Sequence, residues 1–118
     1  MKRGSVCWAS LAPRFGSEEA GRRPVVVVSR DAFNEVPTWR SVIVVPLTIS
    51  GRQAVRGPTV AELAPADTGL PRASYALGHQ ITTLDRSKLD EPSGQLGPEA
   101  LDKVGRAILA ACDLLGLP

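Results

Sequence analysis

At 118 residues with 43% hydrophobic side chains, the chain is expected to form one domain, residues 1–118, with one modest core and no room for a nested second domain. Aromatic residues make up only 4%, so aliphatic side chains must build that core, and no apolar run approaches the roughly 20 residues that would cross a bilayer. The net charge of +2 is unevenly spread, with nine Lys and Arg against four Asp and Glu in residues 1–58 and five against eight in residues 59–118, which fits a polyanion binder.

Residues 5–11 alternate loosely and predict a first strand, with Cys7 inward and Ala9 a candidate for the same side. A loop is expected over 13–21. Four consecutive valines, Val25 to Val28, then predict a short buried strand over 25–29, since stiff β-branched side chains suit a pleated surface packed on both faces. Pro24 lacks an N–H and pushes Arg23 into an extended conformation, so this strand is expected to start with Arg23 at its mouth. Residues 31–34 suit a short helical turn that Pro37 breaks. Residues 41–47 are apolar almost throughout and predict a central strand, with Pro46 marking a bulge or an edge. Residues 49–58 read as a polar loop carrying Arg52 and Arg56. Further strands are expected over 59–63 and 74–77, joined by a connection through Pro65, Gly69 and Pro71, then a strand over 80–84 and a helical turn over 85–89.

Residues 98–115 predict the one long helix, with Leu101, Val104, Ile108, Leu109, Cys112 and Leu115 on its apolar face. Gly97 stands at the N-cap, Pro98 at the first helical position, and Gly116 at the C-terminal cap. Many short strands followed by one helix suggest a mainly β fold: a small twisted barrel with the helix packed on it. Cys7 and Cys112 lack metal-ligand spacing and read as reduced, buried thiols of a cytoplasmic protein. Lys2 and Arg3 are not followed by the apolar segment of a secretory signal. One His and two distant Cys cannot build the usual zinc shells, so neither metal nor other cofactor is expected.

The stretch with the most chemical information is Gly16-Ser17-Glu18-Glu19-Ala20-Gly21-Arg22-Arg23-Pro24, a loop with both signs of charge clamped to a rigid strand. It resembles the Gly-Ser-Glu-x-x-Gly-x-Arg-Pro signature of the MazF/PemK/Kid family of toxin endoribonucleases. Val44-Val45-Pro46-Leu47-Thr48 resembles that family's second block. Thr68-Gly69-Leu70-Pro71, followed by Gln80 to Leu89, resembles its third, and Gly94 to Glu99 with the closing helix resembles its end. The blocks occur in order over nearly the whole chain. The resemblance implies an SH3-like barrel and a sequence-specific, metal-independent endoribonuclease of a type II toxin–antitoxin system. Such an enzyme cuts single-stranded RNA by 2′-OH attack, leaving 2′,3′-cyclic phosphate and 5′-OH ends. It works as a homodimer and is neutralised by a cognate antitoxin.

Cleavage of this kind needs the charge on the phosphate oxygens stabilised by pre-set donors, and Arg can grip two oxygens at once. Taken alone, an Arg before a strand is ordinarily a solvated surface residue and a Thr closing a strand a turn former. The resemblance assigns the catalytic roles to Arg23 and Thr48, and gives Glu18 the task of orienting Arg23 or relaying a proton, against the plain reading of a solvated loop carboxylate. Arg22 follows as a second phosphate contact, with Ser17, Arg52, Arg56, His79 and Gln80 as further RNA contacts. Three departures stand out: no acids follow the first strand around Ala9, Leu77 replaces a family arginine, and His79 replaces a family aspartate. A proton-transfer role, an RNA contact and a structural role all remain open for His79. Two other readings are a non-catalytic binding module on the same barrel and a gyrase poison of the CcdB type. The second conflicts with the absence of a Trp-Gly-Ile ending.

Overall fold

The computed structural model describes residues 1–11 and 21–114. Seven strands and three helices occur in the order β1 (Ser5–Leu11), β2 (Gly21–Val27), α1 (Asp31–Asn34), β3 (Ser41–Thr48), β4 (Val60–Leu63), α2 (Pro65–Thr68), β5 (Ser74–Leu77), β6 (Thr82–Asp85), β7 (Leu89–Gln95) and α3 (Pro98–Ala111). The ladders are all antiparallel, and the strand order is β4-β5-β3-β2-β1-β7 with β6 also pairing β3. The path has two free ends, so the sheet is open rather than closed, a barrel-like fold with α3 packed on it. Among the described residues no helix is long and apolar enough to cross a membrane.

The middle strands bury both faces. Val6, Val26, Val45 and Leu47 join Leu63, Ala76 and the α3 residues Ala100, Val104 and Ala107 in one cluster. Cys7, Ala9, Val25, Val27, Val42 and Val44 form a second cluster on the alternate positions, closed by Leu11, Leu84 and Leu89. Continuous valine runs serve this arrangement because consecutive side chains point to opposite faces and both are apolar.

Several expectations need correction. The second strand begins at Gly21, and Arg22, Arg23 and Pro24 lie inside it, paired with Ser10, Ala9 and Trp8 of β1. Proline is tolerated there because beyond Val25 the strand has no partner on its β3 side. The segment 51–59 forms 3₁₀ turns, interrupted at Gly57 with φ of 63°, in place of a plain loop. The connection after β4 contains α2, ended by Gly69 with φ of 76°. Gln80 belongs to a 3₁₀ turn, Gly78–Gln80, and β6 starts two residues later. Strand β7, Leu89–Gln95, was not anticipated at all: its sequence LDEPSGQ has no apolar alternation, because it is a mostly exposed edge strand pairing only with β1.

Helix α3 starts as expected, with Gly97 as N-cap and Pro98 in the first turn, but ends at Ala111. Cys112 caps it and Asp113 turns left-handed, with φ of 56°. The N–H groups of Asp113 and Leu114 return to the carbonyls of Ala110 and Leu109, a Schellman closure. Its inward face is rotated toward Ala100, Val104 and Ala107, leaving Leu109 exposed. Small residues win that face because the helix lies close to the sheet side: a side chain at Gly78 would meet the Ala107 backbone at 2.6 Å. Cys7 is buried as expected, whereas Cys112 is exposed. Leu115 and Gly116 lie outside the described residues.

Candidate active site

The β2–β3 ladder holds Val27 against Val44, Val26 against Val45 and Val25 against Pro46, and stops there. In an antiparallel pair the partner numbers keep a constant sum, so two further steps would set Arg23 against Thr48. A proline on each strand at this point, Pro24 and Pro46, removes the donors that further pairing would use. Beyond that point the two strands are unpaired, and an open cleft of about 510 Å³, lined by residues of both, forms there. Arg23 and Thr48, 25 positions apart in sequence, both line it, so the structure brings the two principal expected residues together.

Each is held by what lies beneath. Arg23 is half-buried, two residues from the fully buried Val25. Among the described residues its guanidinium enters no hydrogen bond or ion pair, so its donors remain for a ligand. Thr48 ends β3 next to the buried Leu47, and its Oγ1 accepts the Ser50 N–H at 3.2 Å. That bond fixes the hydroxyl oxygen while leaving its proton to donate. On its other edge, β3 pairs with β5, and Thr48 stands opposite Tyr75.

Arg22 also lines the cleft but is already engaged. It forms an ion pair with Asp90 of β7 and lies over the Trp8 ring, 6.0 Å from its centroid. Both members of the pair are more than half exposed, so its worth is about 0.2–1 kcal/mol. The third arginine of the cleft, Arg72, comes from the segment between α2 and β5, together with Leu70 and Pro71. It was missed because the recognisable block ends at Pro71, one residue short of it. Three guanidiniums and no carboxylate give the described lining a positive potential that favours anions.

Of the remaining expected residues, Arg52, His79 and Gln80 do not line the cleft. Arg52 is exposed in the 3₁₀ segment Gly51–Thr59, which also contains Arg56. His79 is exposed and Gln80 half-buried in the turn that packs against α3, and neither lines the cleft. Ser17 and Glu18 lie outside the described residues. Among the described residues no three His, Cys, Asp or Glu side chains gather as metal ligands. Burial pushes the Cys7 thiol pKa up, away from any reactive thiolate role.

These features define an open antiparallel β domain whose broken ladder presents a cationic, hydroxyl-bearing cleft. The comparisons with known proteins name it more closely. The profile of the PemK-like, MazF-like toxins of type II toxin–antitoxin systems matches residues 2–111, and the chain belongs to that family. It is 34% identical over 115 residues to endoribonuclease EndoA of Bacillus subtilis, covering 98% of this chain and 97% of that one. It is 36% identical over 109 residues to endoribonuclease MazF of Staphylococcus saprophyticus, covering 92% and 88%. A solved mycobacterial endoribonuclease in complex with its cognate antitoxin superposes with a TM-score of 0.70 at 26% identity, covering 100% and 97%.

Proposed function

We propose that this chain is an endoribonuclease toxin that cuts single-stranded RNA in the cleft between Arg23 and Thr48. Membership of the family and the curated endoribonucleases it resembles support the enzyme class and the toxin–antitoxin setting. The observation that carries the chemistry is the meeting of an unspent guanidinium and a fixed hydroxyl in a cleft whose described lining holds no acid.

The ribose 2′-OH attacks the adjacent phosphorus, the 5′-oxygen leaves, and the products carry a 2′,3′-cyclic phosphate and a 5′-hydroxyl. Arg23 stabilises the charge that builds on the phosphate oxygens, with two donors in one plane. Thr48 donates its hydroxyl proton to the same centre or orients the phosphate. Glu18 orients Arg23 or relays a proton. The reaction needs no metal ion. Further RNA contacts, at Ser17, Arg52, Arg56, His79 and Gln80, set sequence preference along a groove that two copies of the chain border as a cytoplasmic homodimer. A cognate antitoxin with an acidic segment that orders on contact blocks the groove.

The test is incubation with a mixed pool of single-stranded RNA in EDTA, followed by end mapping. Cuts at a recurring motif with 5′-hydroxyl ends are expected, and 2′-deoxyribose at the cut site should block them. Cleavage that stops in EDTA and returns with magnesium, or leaves 5′-phosphates, would refute the chemistry.

A further inference from the structure

The three arginines of the cleft are not equivalent. Arg22 is held by Asp90 and Trp8, whereas Arg23 and Arg72 have no hydrogen bond or ion pair through their side chains among the described residues. The two unspent ones also come from opposite sides of Thr48. Sheet order places β2, which carries Arg23, on one edge of β3 and β5 on the other. Arg72 lies three residues before Tyr75, the residue of β5 that faces Thr48 across the ladder. It is exposed, and the same cleft includes Leu70 and Pro71 just before it.

We propose that Arg72 is a substrate-positioning residue that grips the phosphate next to the one being cleaved, and that it takes this part in place of Arg22. The proposal rests on the reading of the cleft as a ribonuclease site. A strand that places its reacting phosphate between Arg23 and Thr48 must continue past Thr48 to one side or the other. On the β5 side, the cation among the described lining is Arg72. Pro71 fixes one backbone dihedral immediately before it, which limits the freedom the side chain must lose on binding. On the β2 side, Arg22 already has its charge partly met by Asp90, so it gains less from a phosphate. A contact that is the same in the bound substrate and in the transition state affects KM and leaves kcat alone.

The test uses the full chain and a short single-stranded RNA containing one mapped cut site. Arg72→Gln should raise KM about tenfold, the low end for losing a charge-assisted hydrogen bond, with kcat within about twofold of wild type. The slope of log KM against log salt should fall by about 0.7, the value for one single-strand phosphate contact. Arg72→Lys should restore the slope and part of the KM. Arg106→Gln removes the same charge from α3, where Arg106 pairs with Asp102 far in sequence from the cleft elements, and should change neither quantity. Replacing one flanking phosphate by a neutral methylphosphonate should weaken wild type but add nothing to Arg72→Gln. An Arg72→Gln enzyme with wild-type KM and salt slope overturns this inference alone, as does one that loses kcat with KM unchanged. A wild-type protein that cuts no RNA overturns the ribonuclease reading and this inference with it.

Discussion

Replacing Arg23 by Ala separates chemistry from architecture, because the proposed function gives the side chain much of the first and the structure gives it little of the second. The guanidinium makes no hydrogen bond or ion pair among the described residues, so its removal leaves no buried partner unsatisfied. The loss to folding is then the packing of a half-buried aliphatic stem and a strand preference, together about 1 kcal/mol at most. For a domain of this size that is a fall in Tm of roughly 4 °C. The loss to catalysis is that of a pre-organised donor, about 10²–10³ in rate or roughly 3–4 kcal/mol. Single-turnover cleavage with enzyme in excess reads the chemical step, and thermal unfolding followed by circular dichroism reads the fold. Arg23→Lys should recover part of the rate, since it restores the charge without the planar fork. A folded Arg23→Ala protein that cuts within threefold of wild type would refute the assignment. So would a loss of activity accompanied by a fall in Tm above about 10 °C, which would make Arg23 a structural residue.

Thr48→Ser should keep part of the cleavage rate and Thr48→Val almost none, since only the first preserves both the donor and the acceptor for the Ser50 N–H; equal rates in single-turnover assays would exclude a role for the hydroxyl. His79→Asn should leave kcat unchanged and alter KM or Tm only, because the residue sits on a turn outside the cleft lining; a hundredfold loss in kcat with normal RNA binding would make it a proton-transfer group. Asp85 is held well below the usual carboxylate range by hydrogen bonds from the Ser87 hydroxyl, the Arg40 guanidinium and the Ser87 N–H. Its folded-state pKa is thus depressed, so its contribution is present above about pH 4, the unfolded value, and lost as pH falls toward the folded one. Asp85→Asn should accordingly flatten the decline of Tm below pH 4. Gly94→Ala should lower Tm sharply, because its Cβ would overlap the Thr68 carbonyl, whereas Gly105→Ala in α3 has open space around it and should gain about 0.5–1 kcal/mol. Thermal melts of the pair that moved in the same direction would contradict this.

Much of the fold was legible because its signals are local. The β-branched runs at 25–28 and 42–45 announce largely buried strands, and Gly97-Pro98 announces the start of a helix. Arg23 and Thr48 were singled out by the family resemblance of the blocks that hold them, and both line the cleft. What was hidden depends on partners. Pro24 suggests a strand boundary when read alone, but lies within β2 because its β3 side is already unpaired. Helix α3 turns alanines inward because the turn at Gly78 comes close, which helical periodicity cannot reveal. Arg72 follows a Gly- and Pro-rich connection, and nothing in its immediate neighbours shows that the pairing of β5 with β3 will bring it to the cleft that Thr48 lines.

Strand β7, the least conspicuous stretch of the sequence, touches both walls of the cleft without entering it. Its Asp90 anchors Arg22 on the β2 side. Its Ser93 and Gly94 meet the backbone of Thr68 and Gly69, from which the chain runs directly to Leu70, Pro71 and Arg72 on the other side. The strand lies at the margin of the sheet, with β1 as its one ladder partner among the described strands. Loosening it would release both walls together, so the spacing between them is governed by a brace on the outer rim of the molecule. Substitutions along that rim should behave kinetically as lesions of the cleft although they lie outside its lining.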